Sequence, residues 1–123
     1  MTETFRLFVY GTLLRGESNH ALLGDAKPLG DVSTHPAYEL ADAGEYPAML
    51  EGGSTRVLGQ LYEVPTSRLS EIDEYEGAPE LFVRVAITLS DGSKATGYVM
   101  PRERAVHLSR IEGGSWRHGM MSI

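Results

Sequence analysis

The chain has 123 residues, of which 41% are hydrophobic and 23% are charged, and no cysteine, so we predict one domain over residues 1–123 without disulfides or thiolate chemistry. Its formal net charge is −6 and its arginines are scattered among acidic residues, which argues against the concentrated basic face that nucleic-acid binding requires. No apolar run approaches the about 20 residues of a membrane span, and the first residues do not resemble a signal peptide, so we expect a cytoplasmic protein that binds no membrane.

The first predicted element is a strand. Residues 5–10 form an apolar run that is interrupted only by Arg6 and followed by Gly11, which indicates a central strand that ends in a tight turn. Ser18 is typical of a helix cap, so a short helix is predicted from there to Gly24.

Further strands are predicted in the middle of the chain. Residues 27–33 and 37–40 are short strand candidates on either side of a His-Pro pair. Residues 48–51 and 56–64 flank a Gly52-Gly53 turn, and this pattern predicts a hairpin.

A second predicted hairpin has the clearest pattern. Residues 81–89 carry apolar side chains at alternate positions, and an Asp91-Gly92 turn leads into the apolar strand 95–100. Many strands with one to three short helices predict an α+β domain or a small mixed β-barrel.

One segment is predicted to be a helix. Thr66 follows a proline and is a suitable N-cap, Leu69 and Ile72 lie on one helical face, and Gly77 is a C-terminal stop.

Two carboxylates, Asp73 and Glu76, fall on the apolar face of this predicted helix, whereas Glu71 and Glu74 point away. Glu76 is either a desolvated acid or base or a carboxylate that turns into solvent at the helix end. Asp73 lies one turn deeper on a shorter side chain, so we expect it to accept hydrogen bonds from backbone or side-chain donors.

Several common catalytic patterns are missing from the sequence. Residues 11–18 follow a strand as a phosphate loop does, but Glu17 stands where that loop needs a lysine. The histidines have no metal-binding spacing, and no serine lies in a nucleophile elbow. We therefore expect no metal site. The four histidines are His20, His35, His107 and His118.

The turn after the first strand is a candidate anion-binding site. Tyr10, Gly11, Thr12 and Leu13 would present backbone N–H groups to a ligand, because Gly11 permits a conformation that other residues resist. The alternative is a purely structural turn.

A family resemblance adds to these observations. Tyr10-Gly11-Thr12-Leu13, followed by Arg15-Gly16 and Asn19-His20, resembles the N-terminal signature of the gamma-glutamylcyclotransferase and gamma-glutamylamine cyclotransferase superfamily, also called AIG2-like. Asp73-Glu74-Tyr75-Glu76-Gly77 is similar to the D-x-x-E-G helix end of that family. Other similar motifs extend the match over nearly the whole chain: Tyr46-Pro47-Ala48, Gly59-Gln60-Leu61-Tyr62, Leu81-Phe82-Val83-Arg84 and Gly113-Gly114-Ser115-Trp116-Arg117.

The resemblance implies a small mixed β-barrel with short flanking helices and a cavity beside the first strand-turn. It also implies that a small-molecule gamma-glutamyl amide is cyclised without a cofactor: its α-amine attacks its γ-carbonyl, which releases 5-oxoproline and a free amine. Glu76 would be the catalytic carboxylate. The implied substrate-binding residues are Tyr10, Gly11, Thr12, Leu13, Tyr46, Arg84 and Tyr98.

Two positions depart from the family's pattern. Leu14 stands where relatives often have a basic residue, and Met100 stands where many have a second tyrosine, which affects the expected pocket for the leaving amine. The sequence is also consistent with two alternatives to the cyclotransferase hypothesis. One is a non-catalytic binding module for an amino-acid-like ligand, and the other is an amide hydrolase in which water attacks in place of the substrate amine.

Overall fold

A computed structural model describes residues 3–11, 23 and 26–115. The helix predicted after Ser18 lies outside these residues, apart from the buried Leu23. The described part contains no helix that is long and apolar enough to cross a membrane. It has eight strands and one α-helix: β1 (Thr4–Val9), β2 (Lys27–Ser33), β3 (Tyr38–Asp42), β4 (Pro47–Glu51), β5 (Leu58–Pro65), α1 (Leu69–Glu76), β6 (Val83–Thr88), β7 (Lys94–Val99) and β8 (Ser109–Ile111).

The larger sheet has five strands in the order β2-β5-β1-β7-β6. β1 lies in its middle, antiparallel to β5 and parallel to β7, which confirms the central strand that the apolar run predicted. Leu7 and Val9 pack into one core cluster, and Phe8 and Tyr10 pack into another. β1 is therefore buried on both faces, which explains why its apolar run does not alternate with polar residues.

The smaller sheet has three strands in the order β4-β3-β8 and corrects one prediction. β4 does not form a hairpin with β5 but pairs with β3, which precedes it. The amides of Gly52 and Gly53 both bind the carbonyl of Ala37, so the chain after β4 stays attached to the start of β3. β5 crosses to the larger sheet, where β1 and β2 occupy its two edges.

The α+β class is confirmed, but the strands do not close into a barrel. The two edge strands, β2 and β6, approach each other at one end only, through the isolated bridge between Thr34 and Leu89. Elsewhere β2 has a register shift between Pro28 and Gly30. Proline has no N–H to donate and a shift of this kind bends a strand, so the rest of β2 is poorly suited to pair with β6.

Helix α1 matches the predicted apolar spacing. Ile72 is fully buried and anchors the helix to the core. The predicted Thr66 cap is not formed: Thr66 begins a 3₁₀ turn, and no side chain caps either helical segment. The predicted stop is present, because Gly77 adopts a left-handed conformation (φ 67°) and its N–H returns to the last carbonyls. Glu76 is thus the last helical residue.

Candidate active site

A cavity of about 310 Å³ opens where β1 ends. Four other parts of the chain complete its wall: the segment that enters β4, the last turn of α1, the segment that precedes β6, and β7. The structure brings together five of the predicted site residues here: Tyr10, Gly11, Tyr46, Glu76 and Tyr98. A space of this size accommodates a small amino-acid derivative.

Glu76 points into this cavity from the end of α1 and does not turn into solvent. Burial of the carboxylate raises its pKa from 4.5 to about 7, because the charged form loses its contact with water. Tyr10 and Tyr98 line the same cavity, and the negative charge of Glu76 raises the pKa values of their hydroxyls. A group with this pKa can accept and return a proton near neutral pH.

Asp73, one turn earlier, accepts two hydrogen bonds, as the sequence predicted. The Tyr98 hydroxyl donates to Oδ1, and the Arg84 guanidinium donates to Oδ2 at 2.6 Å. The Asp73 side chain is 28% exposed, so it is not the deeply buried group that its position suggested. Of the two carboxylates, Glu76 is the one that lines the cavity.

Tyr10 lines the cavity wall, but its hydroxyl is already hydrogen-bonded to the backbone. The hydroxyl donates to the Tyr98 carbonyl at 2.8 Å and accepts from the Met49 N–H at 3.1 Å. It therefore connects β1 to β7 and β4, and the end of β1 is fixed against both neighbours.

Gly11 is required for a different reason from the predicted one. The glycines with positive φ in the described part of the chain do not include Gly11, so this position needs no unusual backbone conformation. A side chain here would instead collide with Pro47, because a Cβ atom on Gly11 would lie 2.8 Å from two carbons of the proline ring. The glycine permits close packing of the β1 end against β4.

The remaining predicted site residues have different positions. Tyr46 packs its ring against Phe82, with ring centroids 6.0 Å apart, at the cavity wall. Arg84 is paired with Asp73 and is not among the described residues that line the cavity. Thr12 and Leu13 lie outside the described residues, as do Leu14, His20 and His118.

Eight lining residues were not predicted as site residues: Leu7, Phe8, Val9, Glu45, Pro47, Tyr75, Leu81 and Phe82. Four of them are direct neighbours of predicted ones: Val9 precedes Tyr10, Glu45 and Pro47 flank Tyr46, and Tyr75 precedes Glu76. Adjacency to a predicted site residue was the available signal. Within the described ranges, no group of three His, Asp or Glu side chains is placed to hold a metal ion.

The sequence and the fold are similar to those of known proteins. The family model for gamma-glutamyl cyclotransferase, AIG2-like, matches residues 7–118. The gamma-glutamylcyclotransferase family protein YtfP of Escherichia coli K12 is 34% identical over 111 residues, which are 90% of this chain and 95% of that protein. A gamma-glutamylaminecyclotransferase of Bos taurus is 33% identical over 121 residues, covering 91% of this chain and 70% of the bovine protein. The crystal structure of an AIG2-like protein of Mus musculus matches with a TM-score of 0.75 and 27% identity, covering 95% of this chain and 93% of the mouse chain. The chain therefore belongs to the gamma-glutamyl cyclotransferase, AIG2-like family.

Proposed function

We propose that this protein is a cyclotransferase that converts a gamma-glutamyl amide into 5-oxoproline and a free amine, with Glu76 as the proton shuttle. The observation that carries this proposal is the position of the Glu76 carboxylate inside the cavity, beside the end of β1. Family membership and the name of the bovine relative support the same reaction class.

The proposed reaction needs one group that both accepts and donates a proton. The α-amine of the substrate arrives as an ammonium and must lose a proton before its nitrogen can attack the γ-carbonyl. Glu76 accepts that proton. When the tetrahedral intermediate collapses, the bond between the γ-carbon and the leaving nitrogen breaks, and Glu76 returns the proton to this nitrogen. The attacking nitrogen still carries one extra proton, which Glu76 passes in the same way to the departing amine, so the products are 5-oxoproline and an ammonium. The pKa of about 7 suits both steps.

The attacking α-amine nitrogen and the γ-carbonyl carbon belong to the same substrate molecule. The cavity therefore has to hold the substrate in a folded conformation, and the protein does not have to supply a nucleophile. Holding the amine against the carbonyl in this way can lower a barrier by up to about 7–11 kcal/mol. The rigid wall formed by β1 and its Tyr10 bonds is suited to that task. We expect backbone N–H groups of Gly11 and of the residues that follow it to hold the substrate carboxylate or the developing oxyanion.

Release of 5-oxoproline from a panel of gamma-glutamyl amides tests the proposal. The wild-type protein is expected to release it from at least one amide, and Glu76→Gln should lower kcat by at least about 100-fold, because the proton shuttle is lost. Glu74→Gln is the matched control, since it removes a carboxylate from an exposed position on the same helix. We expect it to keep wild-type kcat.

Each alternative function has its own outcome in this assay. Binding of an amide without any release of 5-oxoproline would indicate the non-catalytic binding module. Release of glutamate in place of 5-oxoproline would indicate the amide hydrolase. A folded and fully active Glu76→Gln protein would remove Glu76 from the proposed mechanism.

A further inference from the structure

Three side chains beside the cavity form a connected chain of hydrogen bonds. Arg84 on β6 and Tyr98 on β7 are directly opposite each other in the antiparallel pair, so their side chains share one face of the sheet. Both reach Asp73 on α1: Arg84 donates to Oδ2 at 2.6 Å and the Tyr98 hydroxyl donates to Oδ1. Of the three, Tyr98 lines the cavity.

The partners fix the direction of the hydrogen bond between Tyr98 and Asp73. The Arg84 guanidinium is permanently charged and has only donors, so it holds the facing carboxylate as an acceptor. An ionised carboxylate accepts and cannot donate. The single proton of the Tyr98 hydroxyl therefore lies toward Asp73. Any further hydrogen bond that the Tyr98 oxygen makes must be one that it accepts.

Tyr98 is also fixed through its backbone. Its carbonyl accepts the hydrogen bond from the buried Tyr10 hydroxyl at 2.8 Å, while its own hydroxyl is held by Asp73. The phenol oxygen therefore has a fixed position, and it can only accept a further hydrogen bond. The negative charge of Glu76 raises the pKa of this hydroxyl. Two neighbouring acceptors, one of them acidic, suit a ligand that offers several N–H donors.

The geometry points to Asp73 and Arg84 as a positioning pair that fixes the Tyr98 hydroxyl as an acceptor for the α-ammonium of the substrate. This inference rests on the proposed function, because it assigns one group of the gamma-glutamyl substrate to one atom of the protein. The ammonium has three donors: one meets Glu76, which removes the proton, and a second meets the Tyr98 oxygen. Arg84 then acts through Asp73 and not by contact with the substrate.

Two probes that differ only in the ammonium test the assignment. They are N5-methyl-L-glutamine and N-methylglutaramate, which lacks the α-amino group. Calorimetric binding is measured with Glu76→Gln protein, which keeps a hydrogen-bond acceptor but does not turn the probe over. Tyr98→Phe, Asp73→Asn and Arg84→Met are each added to this background. Arg102→Met is the matched control, because Arg102 is a similarly exposed arginine paired with Glu39 away from the cavity.

The Glu76→Gln protein is expected to prefer the aminated probe by about tenfold or more, the value of a hydrogen bond to a charged group. Tyr98→Phe should remove most of this preference without changing the affinity for N-methylglutaramate. Asp73→Asn and Arg84→Met should reduce the preference by a smaller factor, and Arg102→Met should leave it unchanged. Melting temperatures report whether each variant is folded; Arg84 is on the surface and Tyr98→Phe keeps the ring.

Four results would overturn the inference. The first is a full preference in Tyr98→Phe. The second is an equal loss of affinity for both probes, which is what a purely structural role gives. The third is the absence of a preference in the Glu76→Gln protein itself, whether it binds the two probes equally or binds neither. A full preference in Asp73→Asn and Arg84→Met would remove the positioning pair. Failure of the proposed function is recognised separately, since it shows as a wild-type protein that releases no 5-oxoproline from any amide.

Discussion

Replacing Glu76 by glutamine is expected to stabilise the folded protein at alkaline pH. In the unfolded chain this carboxyl has an ordinary pKa of 4.5, whereas burial raises the pKa in the folded protein to about 7. The folded state therefore binds the proton more tightly than the unfolded state. The stability that this proton contributes is fully present below about pH 4.5 and is lost as the pH rises through about 7. Glutamine resembles the protonated acid at every pH, so it retains that stability.

The size of the effect follows from the same two pKa values. The difference between 4.5 and about 7 corresponds to about 3 kcal/mol of unfolding free energy, at 1.36 kcal/mol for each pKa unit. Because the cavity is open to solvent on one side, we treat this value as an upper limit. For a chain of 123 residues it corresponds to a melting temperature higher by roughly 10 °C.

Thermal and urea unfolding at about pH 4 and about pH 8.5 measure this difference. At the higher pH, Glu76→Gln is expected to be more stable than the wild type, and at the lower pH the two proteins should be nearly equal. Glu74→Gln again serves as the control for loss of a charge, and it should follow the wild type at both pH values. A constant difference between Glu76→Gln and the wild type at the two pH values would refute the desolvation of Glu76.

Three other predictions concern the cavity wall and the chemistry. Gly11→Ala should lower the melting temperature and raise KM, because the new Cβ atom meets the Pro47 ring at 2.8 Å; unchanged values of both would remove the packing argument. Tyr10→Phe should reduce the free energy of unfolding in urea by about 1–3 kcal/mol with kcat nearly unchanged, because its hydroxyl is bonded to backbone groups. A large loss of kcat in a stable Tyr10→Phe protein would instead assign that hydroxyl to the chemistry. Release of 5-oxoproline should persist after exhaustive chelation, and a loss that a divalent ion restores would contradict a metal-free reaction.

Local patterns predicted the elements whose partners are close in sequence. The alternation and the Asp91-Gly92 turn identified β6 and β7, and the helical spacing with Gly77 identified α1. The predicted pairing of β4 with β5 was wrong because a Gly-Gly turn signals a change of direction and not the destination of the chain. The three-residue β8 was not predicted, since so short a strand is defined by its pairing with β3.

In the candidate site, too, the features set by neighbouring residues were predictable, whereas those set by residues far along the sequence were not. The helical period placed Asp73 and Glu76 on one face, but it could not show that only Glu76 lines the cavity. That distinction depends on Arg84 and Tyr98, which come from two later strands and hold Asp73 to one side. The need for Gly11 likewise depends on Pro47, which is 36 positions further along the sequence.

The central place of β1 has a consequence for how the protein is synthesised. β1 leaves the ribosome well before its sheet neighbours β5 and β7, and the Tyr10 hydroxyl bonds to a carbonyl 88 residues further along the chain. Long-range pairing of this kind slows folding and leaves an unpaired apolar strand exposed in the nascent chain. The sheet around β1 is therefore completed only after β7 has emerged, and until then the apolar residues 5–10 lack one of their two partner strands.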